Sequence, residues 1–280
     1  MKYKIVNNGI LILDKNDFNI KEILECGQIF SFVKQEDGYI VYSSDKCAKV
    51  VESEDGYKIL TNDSSYFENF FDLKTDYTKI KNALKKEPIL KEPIEFGKGI
   101  RILKQDLFET LISFIVSANN NIKRIQLILN RLRSSLGKDM GTYHAFPSRE
   151  SMLKKDEAFY KDIGAGYRAS YLYKVIRQVD EERLKEYDNL PTPELRNKLI
   201  ELSGVGPKVA DCILLFGYGR KDVFPVDTWI AKMYNKYYEP IENREEIRKR
   251  LTHQFGDLSG YAQQYLFYFM RSYVGNNDDG

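Results

Sequence analysis

The stretch Leu202-Ser-Gly-Val-Gly-Pro-Lys-Val-Ala-Asp211 leaves the chain few ways to fold locally. The segments 193–202 and 207–216 on its two sides read as helices, and Gly204 falls where the first must end, a position that favours left-handed backbone. Pro207 falls at the first position of the second helix, where its missing N–H costs nothing. Two helices joined through so short a turn, Gly204-Val205-Gly206, aim the free N–H groups of the second outward. That arrangement suits an anion such as a nucleic-acid phosphate, although a helical hairpin without a ligand has the same signature. The carbonyls of Ile200, Leu202 and Val205 are a candidate seat for a structural K+ or Na+; no other cofactor is expected.

Lys208 is the second residue of that helix. The helix's positive end, and any burial, favour the neutral amine that a nucleophilic lysine needs. A lysine that only contacts phosphate would occupy the same place. Cys212, four residues on, shares its face, either beside the amine or as a buried structural thiol. Nineteen residues after Lys208 comes Asp227, in Val223-Phe-Pro-Val-Asp-Thr-Trp229. It is placed to cap the next helix, and beside Lys208 its charge would stabilise positive charge developing on a sugar.

The 280 residues suffice for one large domain or a few smaller ones. Residues 1–98 read as an antiparallel β-rich domain: runs at 30–33, 39–42, 49–51 and 57–60 flank Asp37-Gly38 and Asp55-Gly56, which mark two hairpins. From residue 99 to 280 helical periodicity takes over, beginning with a broad apolar face at 105–117, and residues 276–280 read as a frayed tail. The fold class is therefore α+β, a small antiparallel sheet domain followed by a mostly helical one. A net charge of only +2 does not by itself announce a nucleic-acid partner, so any basic face must be local. Three scattered cysteines and two histidines offer neither a disulfide framework nor sequence-local ligands for zinc or an iron–sulfur cluster. With no apolar run long enough for a membrane span, an intracellular protein is expected, and if the hairpin binds nucleic acid, a DNA-associated monomer, in the cytoplasm or nucleoid if the source is prokaryotic.

Gly204-Val-Gly-Pro-Lys208 followed by Pro225-Val-Asp227 resembles the helix-hairpin-helix, Gly-Pro-Asp signature of base-excision DNA glycosylases. Three further stretches, Gly27-Gln-Ile-Phe-Ser31, Ser113-Phe-Ile-Val-Ser-Ala-Asn-Asn-Asn-Ile122 and Gly260-Tyr-Ala-Gln-Gln-Tyr-Leu-Phe267, narrow the likeness to 8-oxoguanine DNA glycosylase/lyases. The resemblance implies that double-stranded DNA containing 8-oxoguanine is the partner. It implies Lys208 as nucleophile at the sugar C1′, forming a Schiff base that permits β-elimination, with Asp227 in support. The Gly27 carbonyl would accept the N7–H that 8-oxoguanine has and guanine lacks, Gln263 would read the Watson–Crick edge, and Phe267 would stack on the base; Phe30 and Cys212 would complete the pocket. An amide and an aromatic face are the two kinds of contact a flipped base needs.

By the same resemblance, Asn119 would fill the gap left by the flipped nucleotide. Arg124, Tyr167 and Arg168 would contact or wedge beside the opposite base, expected to be cytosine, while Gly204, Val205 and Gly206 would bind backbone phosphate. Two positions depart from the pattern. Ser203 stands where proline is frequent, and Trp229 stands where the eukaryotic enzymes usually carry histidine.

Overall fold

The computed structural model describes residues 1–274; the tail at 276–280 lies outside the described residues. Six strands form one antiparallel sheet: β1 (Tyr3–Val6), β2 (Gly9–Ile12), β3 (Phe32–Gln35), β4 (Gly38–Ser43), β5 (Lys46–Ser53) and β6 (Gly56–Leu60), in the order β1-β2-β6-β5-β4-β3. Both hairpins expected at Asp-Gly are present, with Tyr39 opposite Val50 and Val41 opposite Ala48 in the β4–β5 register between them. A third hairpin, β1–β2, went unread. It turns on Asn7-Asn8, where Asn8 is left-handed at φ 63°, and β1 is largely exposed, so it shows no apolar alternation. The strand expected at 30–33 begins instead at Phe32; Phe30 packs into the helical core, while the Ser31 carbonyl still accepts from the Tyr42 N–H of β4 at 2.9 Å.

One face of the sheet is apolar by strict alternation, supplying Ile10, Ile12, Val41, Val50 and Ile59 to a core. Phe67, Phe70 and Phe71, from and just beyond the Ser64–Phe70 helix, cover it together with Ile23 and Leu24 of the Ile20–Glu25 helix. A second, larger core lies among the later helices, around the Leu107–Ser117 helix, which is buried continuously from Phe108 to Val116. A helix buried on all sides belongs at the centre of a helical domain, and its few polar residues there, such as Glu109, need partners. Tyr77, Leu84, Leu90 and Ile94 precede residue 99 yet pack into this second core.

Polar linchpins join the two layers. Gln28, fully buried, donates to the carbonyls of Ile23 (2.9 Å) and Arg101 (2.8 Å) and accepts from the Leu103 N–H (2.8 Å). Arg101, also fully buried, donates to the carbonyls of Phe71, Asp17 and Thr75 and lies 4.1 Å over the Tyr77 ring. Glu109 on the central helix pairs with Arg133 at 2.5 Å and accepts from Ser31 Oγ and the Ser44 N–H. Buried polar groups are tolerated in such places because most of their donors and acceptors are paired. Together they fix residues 26–31, which lead into β3 and supply Gly27 and Phe30 to a wall of the site.

Candidate active site

The hairpin forms as its residue types require. The Thr192–Ile200 helix ends, Gly204 takes φ 82°, and the Pro207–Phe216 helix starts with Gly206 as its cap. A Cβ on Gly204 would meet the Tyr171 side chain at 2.7 Å, so sterics as well as backbone hand select glycine. Lys208 emerges half-buried from the first turn, its amine 5.6 Å from the Phe114 ring centroid and beside the Cys212 thiol. Burial pushes that thiol up to about 11, so Cys212 stays protonated and acts as a small apolar neighbour.

Asp227 caps the Thr228–Tyr237 helix, accepting from the Ile230 N–H at 2.9 Å. Its carboxyl is held above the usual carboxylate range by burial, against the opposing pull of the Ile230 N–H and the Lys208 charge. Lys208 and Asp227 line the same open cleft of about 680 Å³, together with Gly27, Phe30, Asn119 and Phe267. Behind it lies a recess of only about 30 Å³, lined by Gly27, Lys208, Cys212, Asp227, Gln263 and Phe267. The lysine, the aspartate and the five residues expected to meet a base therefore line two adjoining spaces that share Gly27, Lys208, Asp227 and Phe267.

Gly27 has φ 84°, and a Cβ there would come within 2.9 Å of the Phe267 ring and 2.6 Å of Arg271 Nη1. Gln263 is buried, yet among the described residues its Oε1 has no hydrogen-bond partner. An orphaned acceptor in a recess beside a charged pair is costly unless something is meant to bind it. The neighbouring Gln264 is spent structurally, donating to the Cys26 carbonyl at 2.9 Å and so bracing the turn that carries Gly27.

The opposite rim is less uniform. Asn119 is exposed, with a left-handed φ of 49° just past the end of the Leu107–Ser117 helix. Arg124 is exposed and donates to the Gly164 carbonyl at 3.3 Å; Tyr167 is 54% exposed and donates to the Ala118 carbonyl at 3.2 Å. Arg168, expected beside the opposite base, is 3% exposed and donates to the carbonyls of Ala118 and Asn119. Arg271 and Arg244, not singled out from sequence, also line the cleft. Arg271 lies 5.2 Å from the Phe267 centroid and donates to the Glu25 carbonyl. Its spacing of four from Phe267 on a helical segment was the available signal. Trp229, the departure noted in sequence, lines the cleft beside Asp227.

Comparison with known proteins follows this geometry closely. Residues 10–111 match the model of the 8-oxoguanine DNA glycosylase N-terminal domain, and residues 112–255 match that of the HhH-GPD superfamily base excision DNA repair protein. A probable N-glycosylase/DNA lyase of Methanothermobacter thermautotrophicus is 33% identical over 71% of this chain and 72% of its own. The N-glycosylase/DNA lyase of Saccharomyces cerevisiae is 32% identical over 61% of this chain, a match that spans 56% of the yeast protein. The Clostridium acetobutylicum 8-oxoguanine glycosylase/lyase, solved with double-stranded DNA containing cytosine opposite 8-oxoguanine, superposes with a TM-score of 0.91 and 36% identity over 99% of both chains.

Proposed function

Because the chain belongs to the 8-oxoguanine DNA glycosylase family within the HhH-GPD superfamily of base excision repair proteins, we propose that it excises 8-oxoguanine and then cleaves the strand, through a Schiff base on Lys208 and with preference for cytosine opposite the lesion. N-glycosylase and DNA lyase activity is what its relatives carry by name. The observation that carries the finer reading is the convergence of Lys208, Asp227 and the unpartnered Gln263 Oε1 on one recess behind an aromatic ring.

In this reading the flipped nucleotide enters the cleft, its base lies against Phe267, and the small recess behind must open to bring Gln263 to the base edge. The Gly27 carbonyl accepts N7–H, Gln263 pairs with the Watson–Crick edge, and Phe267 covers the ring, with Phe30 and Cys212 completing the walls. As the glycosidic bond breaks, its electrons leave with the base, and the Asp227 carboxylate stabilises the positive charge left on the sugar. The Lys208 amine bonds to C1′, the C1′–O4′ bond breaks with one ammonium proton passing to the ring oxygen, and the protonated imine that remains acidifies C2′. Loss of a C2′ proton then expels the 3′ phosphate and breaks the strand. Asn119 fills the vacated gap, while Arg124 and Tyr167, both exposed on the rim, read the orphaned base.

The N–H groups around Gly204, Val205 and Gly206 hold the DNA backbone. The carbonyls of Ile200, Leu202 and Val205 fit a potassium or sodium ion, since all are neutral oxygen donors; Leu202 gives one lone pair to the Val205 N–H at 3.1 Å and retains another. Such an ion would strengthen phosphate binding through its charge.

The deciding experiment is borohydride trapping on duplexes carrying 8-oxoguanine, alongside a panel of other lesions. Wild type is expected to form a covalent adduct on 8-oxoguanine, and Lys208→Gln to bind the same duplex without forming one. An adduct that persists in Lys208→Gln overturns the nucleophile, and base release from oxidised pyrimidines alone overturns the substrate.

A further inference from the structure

Arg271 lines the cleft, yet the reaction described above gives it no task. It stands on the helical turn that continues the Ser259–Phe269 helix, four residues past Phe267, with its guanidinium 5.2 Å from that ring's centroid. Nη2 donates to the Glu25 carbonyl, its one hydrogen bond among the described residues. The Glu25 carboxylate is engaged elsewhere, accepting from the Tyr39 hydroxyl at 2.6 Å. Among the described residues no carboxylate lies within ion-pair distance of Arg271. A half-buried guanidinium without a paired acid is costly to keep in a cleft unless an anion comes to share it.

The rest of the guanidinium lies where a base would be held. A Cβ built on Gly27 would meet Nη1 at 2.6 Å, so the cation rests directly against that residue. In the proposed reaction the Gly27 carbonyl accepts N7–H and Phe267 covers the ring; Arg271 adjoins both. Asp227 borders the same cleft and attracts Arg271 across it. The negative side chain therefore stands toward the sugar and the positive one toward the base. That order matches the charge separation of the bond being broken. The C1′–N9 electron pair leaves with the base, which becomes negative and afterwards takes a proton from water, while the sugar becomes positive.

We infer that Arg271 is a further catalytic residue, whose free guanidinium edge meets the base and stabilises the negative charge it gains as it departs. Asp227 does the converse for the sugar. The inference rests on the glycosylase function proposed above. Bracing the Gly27 turn through the Glu25 carbonyl is a separate service of the same side chain, and the two are separable by substitution.

The test compares Arg271→Gln, which keeps a donor for the Glu25 carbonyl and loses the charge, with Arg271→Lys, which keeps the charge. Three quantities are read. They are single-turnover excision of 8-oxoguanine opposite cytosine, cleavage of a preformed abasic site, and affinity for a duplex whose lesion nucleotide carries a 2′-fluorine that blocks excision. Arg271→Gln is expected to excise about 10²-fold more slowly, the scale of one electrostatic group aimed at developing charge. Abasic cleavage, in which no base departs, and affinity for the fluorinated duplex should stay within about threefold of wild type, because the contact strengthens only in the transition state. Arg271→Lys should excise at least about tenfold faster than Arg271→Gln.

Equal excision by the two variants confines Arg271 to the Glu25 carbonyl and overturns the inference. So does a loss of affinity for the fluorinated duplex as large as the loss of excision rate, the mark of ground-state binding. An equal fall in excision and abasic cleavage, the mark of general damage, overturns it too. If Arg271→Gln does not fold, Arg271→Met, which removes the charge with a side chain of similar length, is read against Arg271→Lys in its place. A wild type that excises no 8-oxoguanine overturns the functional reading instead, and is distinguishable from each of these.

Discussion

Asp227 serves two needs with one carboxylate. As a helix cap it accepts the Ile230 N–H, a role that a neutral oxygen would also fill. As a stabiliser of a sugar cation it must be ionised, and burial holds its acid form to a higher pH than an ordinary carboxylate. A raised value means protonation sets in earlier as pH falls, so excision should decline on the acid side above the usual carboxylate range. Asp227→Asn keeps the cap and removes the charge. It should lose about 10²–10³-fold in single-turnover excision, the scale of a single electrostatic stabiliser, and should lose the acid limb of the pH profile as well. A profile unchanged in Asp227→Asn would remove the residue from the chemistry.

At the scale of elements, the helix that carries Lys208 is fixed from behind by charge. Asp211, three residues after the lysine, is bound by Arg196 of the Thr192–Ile200 helix at 2.6 and 3.2 Å. Arg196 also meets Glu245 at 2.9 Å, and Glu245 meets Arg248 at 2.7 Å, both from the Arg244–Phe255 helix. With Asp211 and Arg196 side chains only 2% and 11% exposed, Arg196→Met should cost about 3–5 kcal/mol, seen in chemical denaturation, because it strands a buried carboxylate. None of this network was legible in the sequence, where the residues are 15 and 34 positions apart. What was legible were features whose physics is local: the Gly204 and Pro207 punctuation, the Asp-Gly hairpins and the cap at Asp227. Gly27 and Gln263 were found through resemblance, since nothing near them in the chain says which recess they share. The inward turn of Arg168 was hidden for the same reason. Its acceptors belong to a helix end that only tertiary packing brings near.

Across the whole molecule, the sheet and the helices share a wall of the site. Cys26 and Phe30 pack in the helical core although they lie between β2 and β3, and Gln28 ties that segment to Arg101 and Leu103. Tyr77, Leu84, Leu90 and Ile94 extend the same core from before residue 99. A chain cut to residues 99–280 would leave that apolar surface open and should lose the near-ultraviolet dichroism of fixed aromatic packing, in contrast to the full chain. A truncated chain with native-like dichroism and a cooperative melt would show the helical part to be self-sufficient.

The bracing of residues 26–31 also joins fidelity to thermal tolerance. Because Gly27 stands on a segment packed where the sheet's core and the helical core meet, a substitution deep in the sheet that merely loosens it reaches the recess before it unfolds the protein. On the proposed function, such variants would still bind DNA and still cut it, yet judge the base less well as the temperature rises. Their cellular signature would be a mutation rate that climbs with warmth while the enzyme remains present and folded.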